Sequence, residues 1–469
     1  MDSQSIRNSV LGCVFFRSAL IAIGLTVQFY NTALQAEEEL PKPNIVFMMA
    51  DDLGWADVDF HGGNVPTPNI DHLRCRGVEL AQHYVAPLCS PTRAGLMTGR
   101  YWSRFGVTAP QATQALPFKT ITLPRALKGC GYDTCLTGKW HLGSRPAWGP
   151  NQFGFDHSYG SLGGGVGPYN HFYKRGEYER TWHRNGELID ECGHATDLIA
   201  SEAVQWIGQR SNSPFFLYVP FTAVHLPVKE PNEFLARVPS AIVGDVPRQY
   251  AACIIHLDEA VGRIVKAVEA SGKADNTLLV FTSDNGGSTA ENNGQQYPPD
   301  DYPSGALTGS NVPLRGKKGD PYEGGTRVPT VLCWPGRLAA GTVCQTPIHI
   351  TDWMPTFCSF AGYQATSELK WDGTNVWGAV TGKSSFPDRS IYSAAPGFQA
   401  HVLRAGPWKL IVTNHQKSNE QVELFDIAQD PNEERDLSAT KPQVVAELRA
   451  RLNEAMARDL DSVVPRSTN

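Results

Sequence analysis

The sequence predicts an α/β protein built on a mixed, mostly parallel sheet sandwiched by helices, and three features carry that reading. The runs Ile45–Ala50, Pro214–Pro220 and Thr277–Thr282 are apolar almost without a break. A strand with one wet face alternates apolar and polar residues. A strand apolar throughout is buried on both faces, as in a parallel sheet covered by helices. Between two of these runs, Tyr250–Ala270 places Ile254, Leu257, Val261, Ile264, Val265 and Val268 at helical spacing, which predicts an amphipathic helix packed on the sheet. From about residue 386 the texture changes. Short strands at Ala400–Leu403, Trp408–Val412 and Glu423–Phe425 precede a helix over Pro442–Arg458, which reads as a small antiparallel sheet with a covering helix. The predicted division is 1–36 as a leader, 37–385 as the large domain and 386–469 as its small α+β companion.

A chain of 469 residues, 41% hydrophobic and 19% charged, is long enough for a large core and has no fibrous or disordered signature. Its net charge of −6 gives no hint of nucleic-acid binding. With 44 glycines and 33 prolines, long loops are expected, which suits an enzyme whose site is built from loops. Arg7 and Arg17, the hydrophobic run Ala19–Val27 and the small residues Ala33 and Ala36 read as a secretory signal cut after Ala36. The run is short for a spanning helix, so the expectation is an exported protein, periplasmic or secreted, with no stable membrane insertion after cleavage. No N-x-S/T sequon is present, which favours a bacterial exported protein over a lysosomal one.

Of ten cysteines, Cys13 falls in the leader. Setting Cys89 aside leaves eight, and an even number in an exported chain permits disulfides. Cys130 with Cys135 and Cys333 with Cys344 are the nearest local pairs; small buried thiols are the equal alternative. No C-x-x-C pair exists, which argues against a cysteine zinc site.

Taken in order, the first buried run ends in Asp51-Asp52. Two adjacent carboxylates at the C-terminal end of a buried strand are costly unless paired or metal-bound. Thr67–Arg76 reads as a helix stopped by Gly77. In Cys89-Ser90-Pro91-Thr92-Arg93, Ser90 suits an N-cap and Pro91 the first helical position. Cys89 then stands just before a helix N-terminus, where an anion is favoured, with Arg93 a turn further on. From the residue types alone, a reactive group beside an anion cradle and a buried cysteine beside a capped helix stand level. Leu123–Lys128 reads as a short helix. Asp133–Leu136 reads as a strand running into Gly138-Lys139-Trp140-His141, where Lys139 and His141, two apart on extended chain, point the same way. Residues 144–195, with Gly163-Gly164-Gly165 and many aromatics, read as a surface excursion, followed by a helix over Ala195–Gln209. His225 lies just past the second buried run. The third run ends in Asp284-Asn285, echoing Asp51-Asp52. Ligands of doubly wound sheets gather at strand C-termini, so four oxygen-bearing side chains converge there as a hard-cation site, Ca²⁺ or Mg²⁺. Val328–Trp334 reads as a further strand, and a helix begins at Thr351.

Cys89–Arg100 (CSPTRAGLMTGR) resembles the signature of the formylglycine-dependent type I sulfatases. The resemblance extends over NIVFMMADDLGW at Asn44–Trp55, TPNID at Thr67–Asp71, TGKWHLG at Thr137–Gly143, SDNGG at Ser283–Gly287, LRGKKGDPYEGGTRVP at Leu314–Pro329 and ELFDIAQDPNEERDL at Glu423–Leu437. It implies an alkaline-phosphatase-like large domain and hydrolysis of sulfate monoesters of carbohydrates or aryl compounds. It implies that a formylglycine-generating or anaerobic maturase system oxidises Cys89 to formylglycine. Asp51, Asp52, Asp284 and Asn285 would then hold the metal, Ca²⁺ ahead of Mg²⁺, with the hydrated residue 89 as a further ligand. One hydroxyl of that hydrate would attack sulfur, and loss of the other's proton would expel sulfate and restore the aldehyde. Arg93 would steady the hydrate, Lys139 contact the sulfate, His141 take the proton, and His225 and Lys318 face the leaving oxygen. Lys318 rather than Lys317 stands five residues before the glutamate of E-G-G, Glu323. His256 and His401 read as structural, with His401 near enough to line the pocket mouth. The alternatives are a phosphomonoester or phosphonate hydrolase of the same superfamily, and a non-catalytic glycan-binding protein on the same scaffold. Residues 144–195, 286–312 and Gln399–Arg404 are expected to set the substrate.

Overall fold

A computed structural model describes residues 41–292, 297–298, 302–386 and 389–462; the leader predicted at 1–36 lies outside them. In chain order the strands are β1 (Asn44–Ala50), β2 (Val78–Leu80), β3 (His83–Tyr84), β4 (Asp133–Thr137), β5 (His157–Ser161), β6 (Trp182–Arg184), β7 (Glu187–Leu188), β8 (Phe215–Pro220), β9 (Thr277–Ser283), β10 (Val331–Cys333), β11 (Thr342–Cys344) and β12 (Ile348–His349). Ten of them form one sheet in the order β11-β2-β10-β9-β1-β8-β4-β5-β6-β7, while β3 and β12 pair separately. The centre, β9-β1-β8-β4-β5, is parallel throughout; β10 pairs antiparallel with both its neighbours, and β6 and β7 continue antiparallel at the far edge.

The unbroken apolar runs are explained by what covers them. Along β1, Val46, Met48 and Ala50 enter a core built with the helices Ala195–Gly208, Asp245–Ala270 and Pro68–Cys75. The alternate residues Ile45, Phe47 and Met49 enter a second core with the helices Cys89–Thr98, Leu123–Gly129 and Trp353–Ala361. A period-two strand with both faces covered has no polar position to spare. The register sets Ala50 beside Ser283 and Met49 beside Pro220. Asp51, Phe221 and Asp284 therefore leave the sheet side by side along one edge.

Four further strands, β13 (Ser390–Ala394), β14 (Ala400–Ala405), β15 (Trp408–Thr413) and β16 (Gln421–Asp426), form an antiparallel meander. The helix Pro442–Met456 packs Leu448 and Leu452 against it. The buried ammonium of Lys409, on β15, binds both Glu323 Oε1 (2.9 Å) and Glu433 Oε1 (2.8 Å). That ion triad ties the segment around Glu323 to the meander.

Several expectations change. Residues 144–195 are not only a surface excursion: they add β5, β6 and β7 to the sheet. Their strands are two to five residues long and polar (HSYGS, WHR, EL), so no apolar run announces them. The helix read from Tyr250 begins at Asp245, with Pro247 in its first turn, where the missing N–H is harmless. The strand read over Val328–Trp334 shrinks to Val331–Cys333, since Pro329 has no N–H to donate. All nine described cysteines are free thiols. Cys333 and Cys344 lie on β10 and β11, which flank β2 on opposite sides. Two strand spacings, about 10 Å, exceed disulfide reach.

Candidate active site at the strand ends

The helix Cys89–Thr98 starts two residues earlier than its sequence suggests. Leu88 precedes it without a side-chain cap, and Cys89 occupies the first turn, 2% exposed. Ser90 is therefore not a cap. Its hydroxyl donates to His141 O (2.7 Å) and accepts from Gln111 N–H (2.9 Å). Thr92 donates to Asp284 O (2.6 Å). The two hydroxyls beside Cys89 thus tether its helix to the segments that carry His141 and Asp284. Neither role is visible in the motif.

Arg93, fully buried, closes the first layer. Its Nη2 and Nε donate to Asp284 Oδ2 (2.7 and 3.2 Å), and its Nη1 donates to Lys139 O (2.5 Å). Lys139 Nζ donates to Asp51 Oδ2 (2.5 Å), with both side chains fully buried. Lys318 Nζ donates to Asp52 Oδ2 (2.7 Å), and Asn285 Nδ2 to Asp52 Oδ1 (2.8 Å). His225 Nε2 stands 3.8 Å from Asp52 Oδ2, while its Nδ1–H is held by Leu226 O (2.5 Å). Lys317, by contrast, reaches Thr289 Oγ1 on the exposed side.

Lys139 and His141 both reach the site, but not through a shared pleat. His141 takes φ +57° between Gly138 (φ +134°) and Gly143 (φ +145°). The amides of Lys139, Trp140 and His141 donate to Pro220, Ser161 and Leu162, so β8 and β5 grip the segment from both sides. Gly163–Gly165 then passes directly over the two histidines. A Cβ on Gly164 would lie 3.1 Å from the His141 ring, and one on Gly165 would lie 2.3 Å from His225 Nδ1. Only glycine allows that approach. Glycines 164 and 165 lie over the site, in a loop the sequence assigned to substrate selection without naming them as site residues, although three consecutive glycines were a signal of close backbone approach. Tyr173 from the same stretch sits edge-on to His141, with ring centroids 6.4 Å apart. His401 is not at the mouth: it is buried in the meander against the Tyr392 hydroxyl.

The electrostatics follow the burial. Burial first, and then Asp284, push the Asp51 carboxyl up to about 7. Burial pushes Asp52 the same way, but Lys318, His225 and Lys139 override it and hold that carboxyl down to about 2. Burial and the charge of Lys139 keep His141 neutral; burial and Lys318 do the same for His225. Burial pulls the Lys318 ammonium down, but Asp52, Cys89 and Asp51 together override it, so Lys318 stays charged.

A metal fits the residues present. Asp51 Oδ1 and Asn285 Oδ1 are buried oxygens with no hydrogen-bond partner. Both are pure acceptors at the C-terminal ends of neighbouring parallel strands, which is the donor set a hard cation takes. Ligand atoms of Asp51, Cys89 and Asp284 lie within 4.8 Å of one another, as do those of Asp51, Asp52 and His225.

Residues 43–363 match the family described as Sulfatase, and residues 318–459 match N-sulphoglucosamine sulphohydrolase, C-terminal. The chain belongs to the sulfatase family. It is 31% identical to Arylsulfatase J of Mus musculus over 88% of this chain and 75% of that protein. It is 34% identical to N-acetylgalactosamine-6-sulfatase of Mus musculus over 75% of this chain and 68% of that one. Among solved structures, Ps i-CgsB in complex with k-i-k-neocarrahexaose superposes with a TM-score of 0.79 at 31% identity, covering 91% of this chain and 95% of that one. The fold is the alkaline-phosphatase-like α/β fold of these sulfatases, and the activity is that of a sulfuric ester hydrolase.

In this sulfatase, Gly165→Ala should cost activity together with some stability, since the added methyl would also meet Leu226 O at 2.8 Å. The added methyl displaces His225, and a displacement of about 1 Å at a reacting group lowers turnover about 100-fold. Steady-state kinetics beside a thermal melt check it; wild-type turnover would show that the loop over His225 yields freely.

Proposed function

We propose that this sulfatase removes sulfate from sulfated carbohydrates, and from aryl sulfates in an assay, using a formylglycine made from Cys89 and a bound Ca²⁺. One observation carries the reading: Asp51, Asp52, Asp284, Asn285, Cys89, Arg93, Lys139, His141, His225 and Lys318 come from six separate stretches and meet at one edge of the sheet. Asp51, Asp52, Asp284 and Asn285 are the residues that hold the cation, which supplies Lewis acidity toward sulfate oxygens. Residue 89, once oxidised and hydrated, supplies the hydroxyl that attacks sulfur.

The remaining steps belong to the side chains. Lys139 and Lys318 hold positive charge where sulfate oxygens gain negative charge, and each such contact is worth roughly 100- to 1000-fold in rate. Arg93, fixed by Asp284, steadies residue 89. His141 is neutral with both ring nitrogens free, so it can accept the proton whose loss expels sulfate. His225 presents Nε2 because its Nδ1–H is tied to Leu226. Binding of an anionic ester beside it raises its proton affinity, which readies it, with Lys318, to protonate the leaving oxygen.

A sulfated polysaccharide or its oligosaccharides is the substrate class this reading favours, supported by the carbohydrate names of the relatives above 30% identity. Export before use, conversion of Cys89 by a maturase, and a functional division at 37–385 and 386–469 complete it. No helix among the described residues is long and apolar enough to cross a membrane.

Side-by-side kinetics on p-nitrophenyl sulfate and p-nitrophenyl phosphate test the reaction class. The sulfate is expected to have the higher kcat/KM. Dominant phosphate turnover would favour the phosphomonoesterase or phosphonate hydrolase alternative, and absence of both would favour the glycan-binding one.

A further inference from the structure

Four buried polar atoms at the strand ends lack hydrogen bonds and have a role in the proposed reaction: Asp51 Oδ1 and Asn285 Oδ1 face the cation, and the two ring nitrogens of His141 face the departing proton. The Tyr297 hydroxyl is a further such atom, and that reaction does not use it. Tyr297 is 5% exposed, and its hydroxyl is buried with no hydrogen-bond partner. Its ring joins the core that also holds Tyr173, Tyr302 and Val224. Burial first, and then Tyr173, Asp51, Asp52 and Cys89, push the hydroxyl well above its ordinary value. It therefore keeps its hydrogen, and the groups that act on it are those of the strand-end site.

Two loops meet there. Tyr173 stands edge-on to His141, and a Cβ on Gly163 or Gly164 would lie 3.0 or 2.9 Å from the Tyr173 ring. Residues on either side of Tyr297 hold to this glycine loop and to the loop after His225. A Cβ on Gly167 would meet the Tyr302 hydroxyl at 2.4 Å. Asn292, fully buried, accepts from Val228 N–H (2.7 Å) and donates to Val228 O (3.2 Å) and Pro303 O (3.0 Å). Tyr297 thus stands between two anchored residues, beside the roof of the site. A buried hydroxyl left unpaired carries a cost that a ligand relieves by pairing with it.

We propose that Tyr297 is a specificity-determining residue, whose hydroxyl hydrogen-bonds a hydroxyl of the sugar that carries the sulfate. The inference rests on the reading of this enzyme as a sulfatase of carbohydrates. A phenol is neutral and both donates and accepts, as a sugar hydroxyl does. The charge of the sulfate is met, in that reading, by Lys139 and Lys318. The ring of p-nitrophenyl sulfate has no hydroxyl to offer Tyr297. A site built to pair with a substrate hydroxyl turns away the analogue that lacks one.

Steady-state kinetics test this with wild type and Tyr297→Phe, on p-nitrophenyl sulfate and on hexoses sulfated at O-2, O-3, O-4 or O-6, singly and in oligosaccharides. Phenylalanine keeps the ring, and a melt checks the fold. The ratio of kcat/KM for the best sugar substrate to that for p-nitrophenyl sulfate should fall about 10-fold in the variant. Among monodeoxy analogues of that sugar, one should lose about as much with wild type and lose no more with Tyr297→Phe, because both changes remove the same hydrogen bond. A ratio within about twofold of wild type, or deoxy losses identical in the two proteins, overturns the inference and leaves the sulfatase reading intact. Hydrolysis of p-nitrophenyl sulfate with no sulfated sugar cleaved overturns the carbohydrate reading and the inference with it.

Discussion

Replacing Cys89 by alanine should leave a folded protein with no measurable sulfate-ester hydrolysis, a loss of about 10⁴-fold or more. The side chain is small and 2% exposed in the first turn of its helix, and the neighbouring Ser90 and Thr92 hold that turn in place. Losing one sulfur atom leaves a cavity smaller than a Leu→Ala truncation does, costing about 1 kcal/mol. The melt should therefore shift little while turnover vanishes. The thiol itself is a poor candidate for the chemistry. Burial raises its pKa, against the pull of Lys139 and Lys318, so the nucleophilic thiolate is scarce. Active protein should instead carry an aldehyde on the tryptic peptide Gly77–Arg93, captured by a hydrazide and weighed by mass spectrometry. A fully thiol peptide in active protein would falsify the formylglycine route, whatever the alanine variant does. Expression without a maturase should give folded, nearly inactive protein.

The carboxylate half of this site could be read from residues because it lies at strand ends. Ile45–Ala50 and Thr277–Thr282 announce neighbouring buried strands by their unbroken apolar character. The parallel register then delivers Asp51-Asp52 and Asp284-Asn285 to one edge with no further information. What stayed hidden depends on backbone turns or on contacts between distant segments. The positive φ of His141 replaces the pleat argument that pairs it with Lys139. Strands β5 to β7 are too short and polar to show a period. The ion network of His194, Asp197, Glu230 and His256 joins residues far apart in sequence, so no local pattern announces it, while the reading of His256 as structural agrees with its contacts there. The cysteines counted even and still stay apart, because strand order, which counting cannot supply, separates Cys333 from Cys344.

Adjacent lysines give the sharpest test of the leaving-group side. Lys318→Met should lower kcat on a sulfate ester about 100- to 1000-fold, whereas Lys317→Met should change it less than about twofold. The two side chains diverge: Lys318 Nζ is bound to the fully buried Asp52, whereas Lys317 Nζ reaches the Thr289 hydroxyl on the exposed side. Lys318 has two jobs that the variant removes together. In the proposed reaction it places a positive charge toward the leaving oxygen, and it is the main reason Asp52 stays ionised against its own burial. A buried carboxylate deprived of its partner is costly, about 3–5 kcal/mol where nothing replaces the lost charge. Some loss of thermal stability is therefore expected, and added Ca²⁺ should recover most of it by supplying Asp52 with another positive charge. Lys318→Arg separates the two effects. It keeps a charge beside Asp52, so stability should return, but the larger guanidinium neither fits the ammonium's place nor releases a proton, so turnover should stay low. Equal losses in Lys317→Met and Lys318→Met would place the catalytic charge elsewhere and remove Lys318 from the mechanism.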